Sequence, residues 1–181
     1  MPPHTVLLFE DETVLRLFPN LRRTWALKGQ QGSIDITGRN AQRVLFGSIN
    51  VRSGHQVLLK KPRMNQEGFQ EFLHLLRTTY RRWPVWILLD GATPHKTKKS
   101  MALAKQLDIV LIFLPKQCPE LNAMDHLWRH VKGEVSANYQ YTTIDEHADV
   151  AQNFVHSLSN KEAKTKAGIL SDNFWLKSFL S

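Results

Sequence analysis

Three aspartates of this sequence, Asp11, Asp90 and Asp125, are placed where their carboxylates could bind metal ions. Asp11 and Asp90 each follow an apolar run, at residues 6–9 and 85–89, and Asp125 lies in a segment with the pattern of a helix start. Two acids at strand ends and one on a helix supply the oxygen ligands that hard divalent cations prefer. A pair of such ions can promote phosphoryl transfer on a nucleic-acid backbone.

Asp11 lies in the middle of the acidic run of residues 10–12. Because side chains alternate between the two faces of a strand, a strand that persists this far places Asp11 on the face of Leu7 and Phe9. Glu10 and Glu12 then lie on the opposite face, so one acid is directed differently from its neighbours. The alternative is a solvated turn that exposes all three acids.

Asp90 ends a strongly apolar strand candidate and precedes the small residues Gly91 and Ala92. In α/β sheets, ligands collect at the carboxyl ends of such strands, which favours a functional acid. A capping or turn role is the alternative. His95 is expected to orient a phosphate, a water or a neighbouring carboxylate, or else to be an ordinary loop histidine.

Asp125 is at the third position of a helix if Asn122 is the N-cap, where it can close a variant capping box. Trp128, Arg129 and Lys132 follow at helical spacing and share roughly one face with it. An acid, an aromatic ring and two cations on one face suit a surface that grips a DNA strand. Capping and metal binding are compatible.

The charge of the chain favours a polyanionic partner. It has 24 Lys and Arg against 16 Asp and Glu, a formal net charge of +8, and neutralised phosphates release counterions. Lys96, Lys98 and Lys99 open a predicted helix, where cations oppose the helix dipole. Phosphate contact beside Asp90 explains this placement, and an ordinary basic surface is the alternative.

Several other functional classes are disfavoured. The single cysteine, Cys118, cannot form an internal disulfide or a cysteine-rich zinc site and fits a reducing cytosol. No apolar stretch approaches the ~20 residues of a membrane helix, and the first residues lack the pattern of a secretion signal. His126 and His130 lack the further ligands of a zinc site. We therefore expect a cytoplasmic protein.

Hydrophobic periodicity predicts the elements that must position these residues. The predicted order is strands at 6–10, 24–27, 43–50 and 56–59, a helix at 65–83, a strand at 85–90, a helix at 96–107, a strand at 109–114, and helices at 122–139 and 143–158. This order indicates an α/β fold with a partly parallel sheet, as in the ribonuclease-H-like architecture with its mixed five-stranded sheet flanked by helices. Residues 1–160 are predicted to form one catalytic domain, and residues 161–181 a tail with a short docking helix.

Four blocks of the sequence resemble the catalytic domain of mariner-superfamily transposases, in particular the bacterial insertion-sequence branch. They are EDE at 10–12, WALKG at 25–29, LLDGATPH at 88–95 and FLPKQCPELNAMDHLW at 113–128, the last followed by Lys132. The 34 residues between Asp90 and Asp125 are the spacing characteristic of this superfamily. The resemblance covers roughly residues 6 to 135, and its last two blocks together are highly specific.

The resemblance implies that Asp11, Asp90 and Asp125 form a catalytic triad that binds two Mg²⁺ or Mn²⁺ ions. It also implies DNA strand cleavage and strand transfer at transposon ends, in a nucleoid-associated protein. From the helix patterns above, the residues expected to contact DNA are His95, Lys96, Lys98, Lys99, Trp128, Arg129 and Lys132.

The sequence departs from the family pattern at three points. The third acid is Asp125 where the insertion-sequence branch usually has glutamate, Ala123 replaces a usual proline, and no helix-turn-helix precedes Asp11. We therefore expect a catalytic half that depends on a helix-turn-helix partner polypeptide or an upstream reading frame, with a homodimer as one possible assembly.

Two other functions remain open at this point. One is a non-catalytic DNA-binding remnant or repressor, against which the intact triad argues. The other is a structure-specific nuclease of the same fold, such as a junction resolvase or ribonuclease H, against which residues 121–128 argue.

Overall fold

A mixed five-stranded sheet forms the centre of the protein in the computed structural model, which describes residues 2–23, 25, 28, 29, 33, 36 and 40–180. The strands are β1 (Val6–Arg16), β2 (Gln42–Asn50), β3 (Gln56–Lys61), β4 (Val85–Leu89) and β5 (Ile109–Phe113). Their order in the sheet is β3-β2-β1-β4-β5. The pairs β1–β2 and β2–β3 are antiparallel, whereas β1–β4 and β4–β5 are parallel. The predicted α/β, ribonuclease-H-like sheet is confirmed.

Seven helices in the described part of the chain accompany this sheet. They are α1 (Gln66–Thr79), α2 (Thr93–Lys96), α3 (Lys98–Gln106), α4 (Ala123–Glu134), α5 (Ile144–Ser157), α6 (Asn160–Lys166) and α7 (Lys177–Leu180). None of the described helices is long and apolar enough to cross a membrane.

The helices bury the two faces of the sheet in separate cores. On one face, α1 inserts Phe69, Phe72, Leu73 and Leu76, all fully buried, at the spacing of one helical stripe. On the other face, α4 contributes a stripe that includes Leu127 and joins Leu7 and Phe9 of β1. β1 therefore lies between two cores, and its alternate residues face different helices.

The structure differs from the predicted elements at β1 and at the helix predicted for 96–107, and α1 and α4 end at Thr79 and Glu134, before the predicted 83 and 139. β1 runs to Arg16 because it pairs with β2 as far as Arg16↔Gln42. The predicted helix at 96–107 is divided into α2 and α3, because Thr97 has extended backbone and its hydroxyl accepts from the Ser100 N–H at 3.1 Å as the N-cap of α3. The predicted strand at 24–27 includes positions outside the described residues.

The C-terminal segment packs against the body of the protein. A capping box formed by Ser159 and Glu162 begins α6, one residue before the predicted tail. Further on, Trp175 packs edge-on against Phe9 with ring centroids 6.2 Å apart. Its indole N–H donates to the Leu121 carbonyl at 3.0 Å. The segment therefore supports the turn that leads into α4.

Candidate active site

Asp11 lies within β1, and Asp90 directly follows β4, the parallel neighbour of β1. Asp11 therefore does not end its strand as the sequence predicted, because β1 continues along β2 as far as Arg16. The β1–β4 register pairs Phe9 with Leu88, and each aspartate is two residues beyond that pair. Because β1 continues past Asp11, strand alternation holds and Asp11 shares the face of Leu7 and Phe9. The predicted direction of Asp11 relative to its acidic neighbours is confirmed, and the solvated-turn alternative is wrong.

Asp125 enters the site from α4, whose start is fixed on β1. Asn122 is the N-cap and accepts from the Met124 N–H at 3.0 Å, as the sequence predicted. The same side chain donates to the Glu10 carbonyl at 2.8 Å, and the Trp128 indole N–H donates to the Asp11 carbonyl at 3.3 Å. Two hydrogen bonds thus join α4 to consecutive β1 carbonyls, which brings Asp125 beside Asp11.

A glycine on β2 makes room for α4. Gly47 pairs with Asp11 in the sheet, and a Cβ atom at this position would overlap the Trp128 indole and the Met124 side chain. The close approach of helix to strand, and so the location of Asp125, depends on the missing side chain.

The three aspartates line one open cleft of about 430 Å³, together with Gly91, Ala92, Asn122 and residues 114–119. Their oxygen atoms do not all lie close together. Among the described residues, the three whose ligand atoms lie within 4.8 Å of one another are Glu10, Glu12 and His95 instead. Asp125 instead forms an ion pair with Arg129 at 2.5 Å. Asp90 accepts from the Ala92 N–H at 2.8 Å.

The pKa values of Asp11 and Asp90 are shifted in opposite directions. Burial, followed by the negative charges of Glu12, Asp125 and Asp90, raises the pKa of Asp11 to about 8. The hydrogen bond from His95 is the largest cause of the lowered pKa of Asp90, and the Ala92 N–H acts in the same direction. The cleft therefore holds one acid that resists ionisation beside one that ionises readily.

A buried polar cluster lies behind Asp90, on the opposite face of β1. His95 is fully buried; its Nε2 is 2.9 Å from Glu12 Oε1 and 3.9 Å from Glu10 Oε2. Its Nδ1 is 3.0 Å from Asp90 Oδ1 and 3.3 Å from the Asp90 carbonyl oxygen. Burial alone would lower the pKa of His95, but the hydrogen bonds to Asp90 and Glu12 raise it to about 11.

Glu10 is the unusual member of this cluster. Its side chain is fully buried, and neither carboxylate oxygen has a hydrogen-bond partner among the residues that the structure describes. Burial and the charge of Glu12 raise its pKa well above the usual range. The alternation of acids at residues 10–12 indicated that Glu10 and Glu12 would face away from Asp11. No local pattern indicated that His95 would join them beneath the sheet.

Two groups of ligands could therefore hold a metal ion. The ligand atoms of Glu10, Glu12 and His95 lie within 4.8 Å of one another, but the cluster is closed to solvent and His95 is already bonded to Glu12. The aspartates line an accessible cleft with carboxylate oxygens, which suit Mg²⁺ and Mn²⁺. Burial is the largest cause of the raised pKa of Asp11, and the negative charges of Glu12, Asp125 and Asp90 add to it. A cation in the cleft would offset that repulsion.

The predicted DNA contacts divide into three groups. His95 is 0% exposed and Trp128 2% exposed, so the prediction that these side chains touch DNA is wrong: both are packed inside the protein. Lys96, Lys98, Lys99 and Arg129 are exposed, as contact with phosphate requires. Lys132 is half-buried and lines a different depression, between β1 and α5, from that of the aspartates.

This mixed sheet, with Asp11 within β1, Asp90 directly after β4 and Asp125 on α4, is that of a ribonuclease-H-like domain. Residues 6–147 match the family described as DDE superfamily endonuclease, and the chain belongs to that family.

Relatives and solved structures agree with this membership. The chain is 23% identical over 155 residues to the "Insertion element IS630 uncharacterized 39 kDa protein" of Shigella sonnei, covering 84% of this chain and 45% of the relative. It superposes on the Mos1 transposase paired-end complex with left transposon end with a TM-score of 0.70 and 15% identity, covering 93% of this chain and 53% of that one. The mariner Mos1 paired end complex with Mg gives 0.69 and 16%, covering 91% and 52%. The chain thus spans about half the length of these proteins.

Proposed function

We propose that this chain is the catalytic domain of a transposase, which cuts DNA at transposon ends and transfers the cut strand to target DNA with the aid of two Mg²⁺ or Mn²⁺ ions. The observation that carries the proposal is that Asp11, Asp90 and Asp125 all line one open cleft. The metal-containing and DNA-containing complexes of Mos1, which has this fold, support it.

The ions, when bound, would activate the attacking oxygen and stabilise the leaving oxygen of an in-line displacement. Asp11, Asp90 and Asp125 would hold them. The protein contributes position: the hydrogen bonds from Asn122 and Trp128 to β1 fix the helix of Asp125 against the strand of Asp11. Exposed cations, among them Lys96 and Arg129, would hold the phosphate backbone at the mouth of the cleft.

The domain is proposed to work within a larger assembly. Phosphate contacts carry no sequence information directly, so recognition of transposon ends would come from a helix-turn-helix in a partner polypeptide or an upstream reading frame. Two copies of the catalytic domain would pair two transposon ends as a homodimer, at the nucleoid of the cytoplasm. Residues 161–181, whose Trp175 packs on Phe9, would be the docking tail of the 1–160 catalytic domain.

The test is cleavage of end-labelled DNA with Mg²⁺ or Mn²⁺. We expect Asp11→Asn, Asp90→Asn and Asp125→Asn each to abolish cleavage while DNA binding persists. Because the three carboxylates act as a unit, double variants should lose no more than single ones. Asp149→Asn, which removes an exposed acid on α5 that pairs with Lys60, is the matched control and should cleave normally.

Choice of substrate separates this function from its rivals. A transposase domain should cleave transposon-end duplexes, and a resolvase or ribonuclease H would prefer branched DNA or RNA–DNA hybrid. Wild-type cleavage in any of the three triad variants would remove that residue from the site. Metal-independent DNA binding with no cleavage of any substrate, even with the helix-turn-helix partner present, would leave the repressor function instead.

A further inference from the structure

The cluster behind Asp90 has a role that the proposed function does not assign. Asp90 lies just past the end of β4, and its side chain is 57% exposed. A metal ligand in such a position needs a support that holds its carboxylate toward the cleft. The contacts of Asp90 with His95 supply this support, because three other contacts hold the histidine in place.

The first two supports of His95 come from its own segment and from α1. Its main-chain N–H donates to the Ala92 carbonyl at 3.1 Å, which fixes the backbone of the short helix α2. Its ring packs against the Phe69 ring with centroids 4.4 Å apart. Phe69 is itself fully buried on α1, so the imidazole has little freedom to rotate.

The third support comes from β1. Glu12 Oε1 is 2.9 Å from Nε2 of His95, and the Glu12 side chain is only 3% exposed. The opposite nitrogen, Nδ1, contacts both the carboxylate and the carbonyl of Asp90. The ring therefore connects a buried acid on β1 to an exposed acid at the end of β4, and both acids accept from it.

We propose that His95 is a positioning residue for the metal site: anchored by Glu12 through Nε2, it holds Asp90 through Nδ1 in the orientation in which Asp90 binds a divalent cation. The inference rests on the proposed function, because it takes Asp90 as a metal ligand. It replaces the expectation that His95 contacts DNA, which its burial excludes.

Two substitutions of His95 separate its hydrogen bond to Asp90 from its hydrogen bond to Glu12. In His95→Asn the side-chain amide nitrogen lies where Nδ1 was and can still donate to Asp90; in His95→Gln it lies where Nε2 was and can still donate to Glu12. Both variants lose the ring, its contact with Phe69 and its positive charge. Any difference between them therefore reports which hydrogen bond was kept.

The measurement is Mn²⁺ affinity of the whole chain, followed by the EPR signal of free Mn²⁺, with thermal unfolding as the check on folding. We expect Asp90→Asn to abolish tight binding and His95→Gln to weaken it by about 10-fold or more, as for lost supports of metal ligands. His95→Asn should bind Mn²⁺ more tightly than His95→Gln but more weakly than wild type, because it keeps the hydrogen bond to Asp90 and loses the anchor to Glu12. The two histidine variants should lose similar thermal stability.

Equal Mn²⁺ affinities in folded His95→Asn and His95→Gln would overturn the positioning role while leaving the aspartate site intact. Normal Mn²⁺ binding in Asp90→Asn would overturn the proposed metal site itself, and the positioning role with it. If neither histidine variant folds, wild-type protein labelled with ¹⁵N-histidine decides. Added Mg²⁺ should shift the Nδ1–H resonance of His95 in wild type and not in Asp90→Asn, and an unmoved resonance in wild type would overturn the inference.

Discussion

Asp11 and Asp90, both in the lining of the cleft, differ in how readily they ionise. Asp90 receives hydrogen bonds and has a lowered pKa, whereas burial and neighbouring acids raise the pKa of Asp11 to about 8. A cation that enters the cleft meets one carboxylate already charged and one that must give up its proton. Metal binding and proton release at Asp11 should therefore be coupled.

The raised pKa of Asp11 also predicts how the stability of the metal-free protein depends on pH. Asp11 binds a proton more tightly in the folded chain than in the unfolded chain, where its pKa is ~4. Its contribution to stability is complete below the unfolded pKa and is lost as pH rises through about 8. We expect Asp11→Asn to become progressively more stable than wild type between pH 5 and pH 9, measured as thermal midpoints.

The same two proteins, wild type and Asp11→Asn, should also respond differently to added metal. Saturating Mg²⁺ should raise the midpoint of wild type at pH 8 and above and leave Asp11→Asn nearly unchanged, because the amide is a poor substitute for a charged ligand. The control is Asp149→Asn, which should follow wild type in both series. Parallel pH profiles for wild type and Asp11→Asn would show that Asp11 is not the group that burial and charge perturb.

At the scale of elements, the site depends on how closely α4 approaches β1 and β2. The indole of Trp128 is buried against Gly47 while its N–H reaches the Asp11 carbonyl. A shift of α4 by a few tenths of an ångström would move Asp125 relative to Asp11. The positions of the acids are thus set by packing that involves no acid.

We expect Gly47→Ala to destabilise the protein by about 1–3 kcal/mol, the usual cost of overpacking a filled interior. It should also lower metal-dependent cleavage, because the added methyl group pushes α4 outward. Chemical denaturation gives the free energy of unfolding. Gly133→Ala is the matched control on α4, where the three described atoms nearest to the new Cβ all belong to the flexible end of the Arg22 side chain. A Gly47→Ala variant as stable and active as wild type would contradict the packing account.

Local patterns predicted the elements whose cause is local. The N-cap Asn122 and the alternation of β1 around Asp11 both follow from neighbouring residues, and both are confirmed. What could not be predicted depends on distant parts of the chain. β1 extends to Arg16 only because β2 pairs with it, and His95 is buried only because Phe69 and Glu12 meet it there.

At the scale of the whole molecule, a chain of net charge +8 places three acids, Asp11, Asp90 and Asp125, in one cleft. Exposed cations such as Lys98 and Lys99 lie on α3, which follows β4 and its Asp90. Such a distribution attracts a polyanion in general and offers a place for cations where the reacting phosphate would lie. It does not by itself distinguish one DNA sequence from another.

We therefore expect the chain to bind DNA weakly, with steep salt dependence and little preference for terminal-repeat over scrambled sequence. Lys98→Ala combined with Lys99→Ala should weaken binding equally on both sequences and reduce the slope of log affinity against log salt by about 2. Fluorescence anisotropy over a salt series measures both quantities. Lys161→Ala, on α6, controls for loss of charge away from the cleft. A strong preference for terminal repeats by this chain alone would place end recognition within it.

The most direct test of the central claim is a crystal structure of the chain soaked with Mn²⁺, with the ions located by their anomalous scattering. We predict two peaks about 4 Å apart in the cleft, ligated by Asp11, Asp90 and Asp125, with the ion pair between Asp125 and Arg129 opened. A peak within the buried cluster of Glu10, Glu12 and His95, with the aspartate cleft empty at saturating Mn²⁺, would contradict the assignment of the active site.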